Sequence, residues 1–285
     1  MSSTTSSRPS TPSQPPKLSD YPNLTHAPHT THPTRVEPLT IKVSDGPDGA
    51  VPAFLHLPIP SPTTSSSKTA AILLSGAGGG VTGPSSIYLS LAEKLASLHI
   101  PIPTLRLDYR YPARTKYCVR DVLAALNFLQ STHGLDRFVL VGWSFGGAPV
   151  FTAAAQDARV VGCATVASQT AETEGIRRVS PRPVLLMHGT GDRTLSPACS
   201  ERLYAMYGGG GKGERVLKLF EGDDHALTRN AGEAEKMLGE FVMRCAGVRE
   251  ERADEEVLGE RLVEDGERVE LMRRGGDLRR GESVE

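Results

Sequence analysis

Short apolar runs alternate with helical patterns along most of this chain, and that alternation restricts the fold more than any other feature. The segments PLTIKVS (38–44) and VPAFLHLP (51–58) read as two opening strands around the turn Asp45-Gly46-Pro47-Asp48-Gly49. AAILLSG (70–76) is continuously apolar, as a buried central strand should be. A helix over about 85–98 comes after it, then the strand PTLRLDY (103–109). Next comes a helix with Val122, Ala125, Leu126 and Leu129 at i, i+3, i+4, i+7 spacing. RFVLVGW (137–143) predicts a strand, GGAPVFTAAAQ (146–156) a helix, and VVGCATVA (160–167) and PVLLMHG (183–189) two more strands. A helix near 197–207 precedes the last strand, RVLKLFEG (215–222). A closing helix sets Ala234, Met237, Leu238, Phe241, Val242 and Cys245 on one apolar stripe. Repeated strand–helix alternation predicts an α/β fold: a mostly parallel, eight-stranded sheet with helices on both faces. Ligands of such sheets bind at the carboxyl ends of the strands.

The ends of the chain differ from this middle. Residues 1–35 are rich in Ser, Thr and Pro and are expected to be a disordered tail. Residues 248–285 hold 8 Lys/Arg against 13 Asp/Glu, with Val257, Leu258, Leu262, Val263 and Val269 thinly spread. They are expected to form a solvated charged tail with frayed helix. The predicted folded domain is therefore 36–247. With 32 Lys and Arg against 33 Asp and Glu, and no basic stripe, a nucleic-acid partner is not expected. No run of about 20 apolar residues and no secretory h-region appear, so no stable membrane insertion is expected. Cys118, Cys163, Cys199 and Cys245 are widely spaced with no C-x-x-C pair, which fits reduced thiols in a cytoplasmic protein.

The chemistry lies in the loops at the carboxyl ends of the strands. After 137–143 stands Gly142-Trp143-Ser144-Phe145-Gly146-Gly147, a G-x-S-x-G at a strand-to-helix junction. Such an elbow lifts the serine hydroxyl above the sheet edge at a helix N-terminus, where developing negative charge is favoured. Ser144 is therefore the predicted nucleophile. Its hydroxyl needs a base to take the proton and an acid to orient that base, in the chain order Ser, acid, His. HGTGDRTLSP after the strand at 183–188 offers Asp192, and GDDHAL after the strand at 215–221 offers His225. His188 ends a buried strand and reads as a support for its turn. His26, His29 and His32 fall in the N-terminal tail. Asp223 and Asp224 adjoin His225 and read as turn formers, which leaves Asp108, after the fourth strand, as the alternative acid.

An acyl-transfer site also needs donors for an oxyanion. One is the N–H of the residue after the nucleophile, Phe145. The other should come from the loop Ser75-Gly76-Ala77-Gly78-Gly79-Gly80, with Ala77 the best candidate and Gly76 or Gly78 possible. Gly76, Gly78 and Trp143 are the expected substrate-lining residues. A nucleotide-binding reading of this loop is disfavoured. It lacks the Gly-Lys-Ser/Thr of a P-loop, and Val81 stands where a dinucleotide fingerprint needs glycine.

In this order, SGAGGG, GWSFGG, HGTGD and DDHAL resemble the α/β-hydrolase superfamily, and its small dienelactone hydrolase-like branch in particular. The resemblance runs over about 38–247. It implies the α/β-hydrolase fold and hydrolysis of an ester or thioester, with no cofactor or metal. Two features depart from the pattern. Dienelactone hydrolases use a cysteine nucleophile where this chain has Ser144, and many esterases have His-Gly where it has Ser75-Gly76. The stretch SQTAETEGIRRVSPR after 167 is too short for a cap domain. An uncapped site open to solvent is expected, walled by 82–86, 109–115 and 169–175 and suited to a small-molecule acyl ester or thioester. The alternative is an inactive hydrolase-like fold that serves as a scaffold or binding protein.

Overall fold

Strand β5 (Arg137–Trp143) is buried in all but its first residue, because it lies at the centre of a sheet covered on both faces. In the computed structural model, which describes residues 15–32, 34–60, 67–208 and 213–279, β5 is one of eight strands. The others are β1 (Arg35–Val43), β2 (Gly49–Leu57), β3 (Thr69–Leu74), β4 (Thr104–Leu107), β6 (Val160–Val166), β7 (Val184–Gly189) and β8 (Arg215–Phe220). Their spatial order is β1-β2-β4-β3-β5-β6-β7-β8. β2 alone runs against its neighbours, pairing antiparallel with β1 and β4, and the rest of the ladder is parallel. The expected eight-stranded, mostly parallel sheet is present.

Helices α1 (Ile87–Ala96), α2 (Thr115–His133), α3 (Gly147–Gln156), α4 (Ala198–Met206) and α5 (Ala231–Ala246) cover the sheet. One face buries Leu126, Leu129 and Phe151, from α2 and α3, against Ile72, Leu107 and Leu140. The other buries Leu91, Leu95, Leu238, Phe241 and Val242, from α1 and α5, against Leu73, Val139 and Val141. Full burial of such side chains contributes about 1.5–3 kcal/mol each. Between β6 and β7 the described chain forms only a short 3₁₀ turn, Glu174–Arg178, and no cap domain.

The expectation for the two ends is corrected over the residues described. Residues 15–32 lie on the domain, with Tyr21, Leu24 and Ala27 buried. Residues 248–279 form two short helices, α6 (Arg252–Gly259) and α7 (Arg268–Gly275). The two ends meet in a third apolar cluster in which Tyr21, Leu24 and Ala27 pack with Leu262, Val263 and Leu271 over Phe54, Val81 and Leu89. Apolar residues too sparse to make a core alone are sufficient here because each end covers the other. Of the five noted in the sequence, only Val269 is left exposed. Residues 1–14, 33 and 280–285 of the expected tails lie outside the described residues.

Candidate active site

The serine elbow is shaped by what surrounds it. Ser144 has φ of 53°, a left-handed conformation that is costly for a residue with a side chain. It opens a 3₁₀ turn, Ser144–Gly146, that runs directly into α3. The flanking glycines allow this turn to sit down. A Cβ at position 142 would lie 2.5 Å from the Gly146 carbonyl oxygen, and one at 146 would lie 2.7 Å from the oxygen of Ser75 and 2.8 Å from that of Leu74. The elbow therefore packs against the end of β3, where the glycine-rich loop begins. From the other side, the Gln169 N–H donates to the Ser144 carbonyl at 3.3 Å.

Asp192 and His225 are brought together across 33 residues, with His225 Nδ1 2.7 Å from Asp192 Oδ2. The other carboxylate oxygen, Oδ1, accepts the N–H groups of Thr194 at 2.8 Å and Leu195 at 2.9 Å. A second histidine shares the acid. His188 Nε2 lies 3.0 Å from Asp192 Oδ2 and 3.0 Å from the Leu195 carbonyl. Both are acceptors, so Nε2 carries a hydrogen, and the Ser200 hydroxyl donates to Nδ1 at 2.7 Å. Burial alone would push the Asp192 carboxyl upward. The hydrogen bonds from His188 and His225 outweigh it and hold the carboxyl well below the usual range. Among the described residues, Asp192 is thus a carboxylate with four donors, one of which is the predicted base.

Trp143 joins this acid–base pair to the elbow. Its indole N–H donates to the His225 carbonyl at 3.0 Å, and its ring lies 5.5 Å from the imidazole. Trp143 is fully buried, so the expectation that it lines the substrate site is corrected. The sequence places it beside Ser144 but carries no sign that its polar tip faces inward to hold the His225 loop. Asp223 and Asp224 are the expected turn formers. Asp223 accepts from the N–H groups of Arg229 and Asn230, and Asp224 from those of Ala226 and Thr228.

The glycine-rich loop leaves β3 beside the elbow. Phe145 and Ala77 both lie there, Phe145 buried and Ala77 part-buried, while Gly76 and Gly78 are buried. Two carboxylates grip the rest of the loop. Asp108, the alternative acid, accepts the N–H of Gly80 at 2.8 Å, and it also pairs with Tyr21 and with Arg279 at 2.9 Å. It is a loop support, and none of these partners is a histidine. Asp277 accepts from Ser75, Thr82 and Gly83. Burial pushes the Asp277 carboxyl up to about 7 against these donors. Asp277 belongs to the segment expected to be a solvated tail, so no local pattern could have pointed to it.

The expected walls are only partly realised. Residues 82–86 are covered by the C-terminal segment: Ser86 Oγ donates to the Arg268 carbonyl, and Arg268 donates to that of Ser85. The segments 109–115 and 169–175 reach the surface and are joined by a 2.6 Å hydrogen bond from Thr115 to Glu172. Ser144 is 5% exposed and His225 2%, so access is narrower than the missing cap implied. Among the described residues, no three His, Cys, Asp or Glu side chains converge in a metal-binding group. No described helix is long and apolar enough to cross a membrane.

Comparison with known proteins agrees with this architecture. A profile of the family described as "alpha/beta hydrolase fold" matches residues 100–198, a span that contains Ser144 and Asp192. A search of curated proteins returned no match. Among solved structures, the chain is similar to dienelactone hydrolase from Anabaena variabilis, with TM-score 0.60 and 17% identity over 75% of this chain and 99% of that one. It is similar to the esterase domain of a Rhodothermus marinus protein, with TM-score 0.59 and 18% identity over 74% and 98% of the two chains. It is also similar to XC6422 from Xanthomonas campestris, described as an α/β serine hydrolase without lid, with TM-score 0.56 and 19% identity over 74% and 95%. The chain has the α/β-hydrolase fold.

Proposed function

We propose that the protein is a serine hydrolase that cleaves a carboxylic ester or thioester through an acyl-enzyme at Ser144. The observation that carries this reading is the Asp192–His225 pair, 2.7 Å apart, whose His225 carbonyl accepts the indole N–H of Trp143, the residue preceding the left-handed serine. In the proposed reaction, His225 takes the Ser144 proton as its oxygen attacks the carbonyl carbon. The N–H groups of Phe145 and Ala77 stabilise the oxyanion. His225 then protonates the leaving alcohol or thiol, and a water repeats the sequence to free the acid. Asp192 holds His225 in the tautomer whose Nε2 can accept the proton. No step in this scheme calls for a metal or cofactor.

The short connection between β6 and β7 and the small exposure of Ser144 favour short or protruding acyl groups over long buried chains. A panel of chromogenic acyl esters and thioesters of increasing chain length tests the reading. The expected result is turnover of short acyl chains, with an initial burst where deacylation is slow. A folded protein inactive on the whole panel would favour the scaffold alternative, and activity confined to long-chain lipids would refute the substrate class.

A further inference from the structure

The glycine-rich loop has few means of holding its own shape. Residues 76–80 carry one side chain among them, the Ala77 methyl, and such a tract loses more backbone freedom on ordering than any other sequence. The Gly79 N–H closes a turn onto the Gly76 carbonyl at 3.0 Å and Asp108 takes the Gly80 N–H at 2.8 Å, and the rest of its order comes from the far end of the chain. Successive N–H groups are taken up in turn: Val81 donates to the Gly275 carbonyl at 3.1 Å, Thr82 to Asp277 Oδ2 at 3.0 Å and Gly83 to Asp277 Oδ1 at 2.8 Å. The Thr82 hydroxyl donates to Oδ2 at 2.7 Å. At the opposite end of the loop, the Ser75 hydroxyl donates to Oδ1. One fully buried carboxylate therefore ties the first residue after β3 to the last residues of the loop and encloses 76–81. Gly80, at φ 108°, is the residue that lets it in, because a Cβ there would overlap the Asp277 side chain and backbone.

We propose that Asp277 is a positioning residue for acyl transfer: it staples the glycine-rich loop so that the Ala77 N–H points at the oxyanion above Ser144. The proposal rests on the acyl-transfer reading given above. Asp277 acts through the loop and touches neither the nucleophile nor the base in the described contacts. The same arrangement makes the C-terminal segment, which lies outside the span expected for the hydrolytic domain, a working part of the site.

Oxyanion donors act mainly in the transition state, and their removal costs about 100- to 1,000-fold in kcat. A displaced donor should cost somewhat less. The test is kcat and KM for a short acyl ester, and the rate of labelling by a fluorophosphonate, in the full-length parent, Asp277→Asn and Ser75→Ala. Asn keeps the size but turns one acceptor oxygen into a donor facing donors, so kcat and labelling rate should fall about 10- to 100-fold with KM within about three-fold. Ser75→Ala opens one end of the staple only and should cost several-fold in kcat, which keeps the test decisive if Asp277→Asn does not fold. Leu258→Ala, in α6 and away from the staple, is the stability control: it removes a buried side chain from the second apolar cluster and should lower Tm while kcat is kept. Parental kcat and labelling rate in folded Asp277→Asn, or an unchanged kcat in Ser75→Ala, would overturn the positioning role alone. A parent protein that takes no label would overturn the acyl-transfer reading and this proposal with it.

Discussion

Replacing Asp192 by Asn should nearly abolish turnover, for a reason the surrounding hydrogen bonds dictate. Oδ1 faces the N–H groups of Thr194 and Leu195, and Oδ2 faces His188 Nε2 and His225 Nδ1. An Asn side chain must keep its carbonyl oxygen towards the two backbone donors, since an amide NH₂ there would confront both. Its NH₂ is then forced onto the two imidazoles. Facing His225, it donates to Nδ1 and leaves the hydrogen on Nε2, so the ring can no longer accept the Ser144 proton. Facing His188, it meets the N–H that the Leu195 carbonyl also holds. The wrong tautomer in an Asp–His–Ser system costs about 10⁴ in kcat, or about 5 kcal/mol of barrier. Losing two charge-assisted hydrogen bonds costs about 1.5–3 kcal/mol of stability for each. The assay is steady-state hydrolysis of a short acyl ester, with thermal unfolding measured on the same samples. A folded Asp192→Asn enzyme that keeps kcat within ten-fold of the parent would refute the assignment of Asp192 as the orienting acid.

Other consequences are open to the same assays. His188→Phe keeps a ring of similar volume but removes one donor from Asp192 and the acceptor of Ser200, so it should destabilise the fold by about 2 kcal/mol and lower kcat less than Asp192→Asn does; denaturant titration and kinetics measure the two effects. Gly146→Ala would drive a methyl to 2.7 Å from the Ser75 oxygen, costing about 1–3 kcal/mol or more and displacing the elbow from the loop, which unfolding curves and fluorophosphonate labelling would report. The Asp192 carboxyl is held below its unfolded value of about 3.9, so its stabilisation is present above that pH and is lost as pH falls through the folded value. Between pH 6 and 3 the parent should therefore lose more stability than Asp192→Asn.

Legibility in the sequence depends on whether each signal is local. The bounds of β5 are readable because seven residues, nearly all apolar, end at a glycine-flanked serine that stops the strand. The acid and the base are readable because each stands after a buried strand in the required chain order. The burial of Trp143 is not, because adjacency to Ser144 says nothing about which way a side chain points along a strand. The ordering of the two ends is hidden because their apolar residues are few and their partners lie more than 200 residues away, as with Leu24 and Leu262. Sparse hydrophobicity in one segment looks like disorder until the segment that covers it is known. Asp108 and Asp277 show the same limit for polar groups: each becomes a loop support only once the fold brings the glycine-rich tract beside it.

The central claim, that Ser144 is an activated nucleophile, is tested most directly by intact-mass and peptide analysis after treatment with a fluorophosphonate. One adduct per chain is expected, carried on the peptide containing Ser144 and absent from Ser144→Ala. A folded parent protein that stays unmodified, or an adduct that persists in Ser144→Ala, would contradict it.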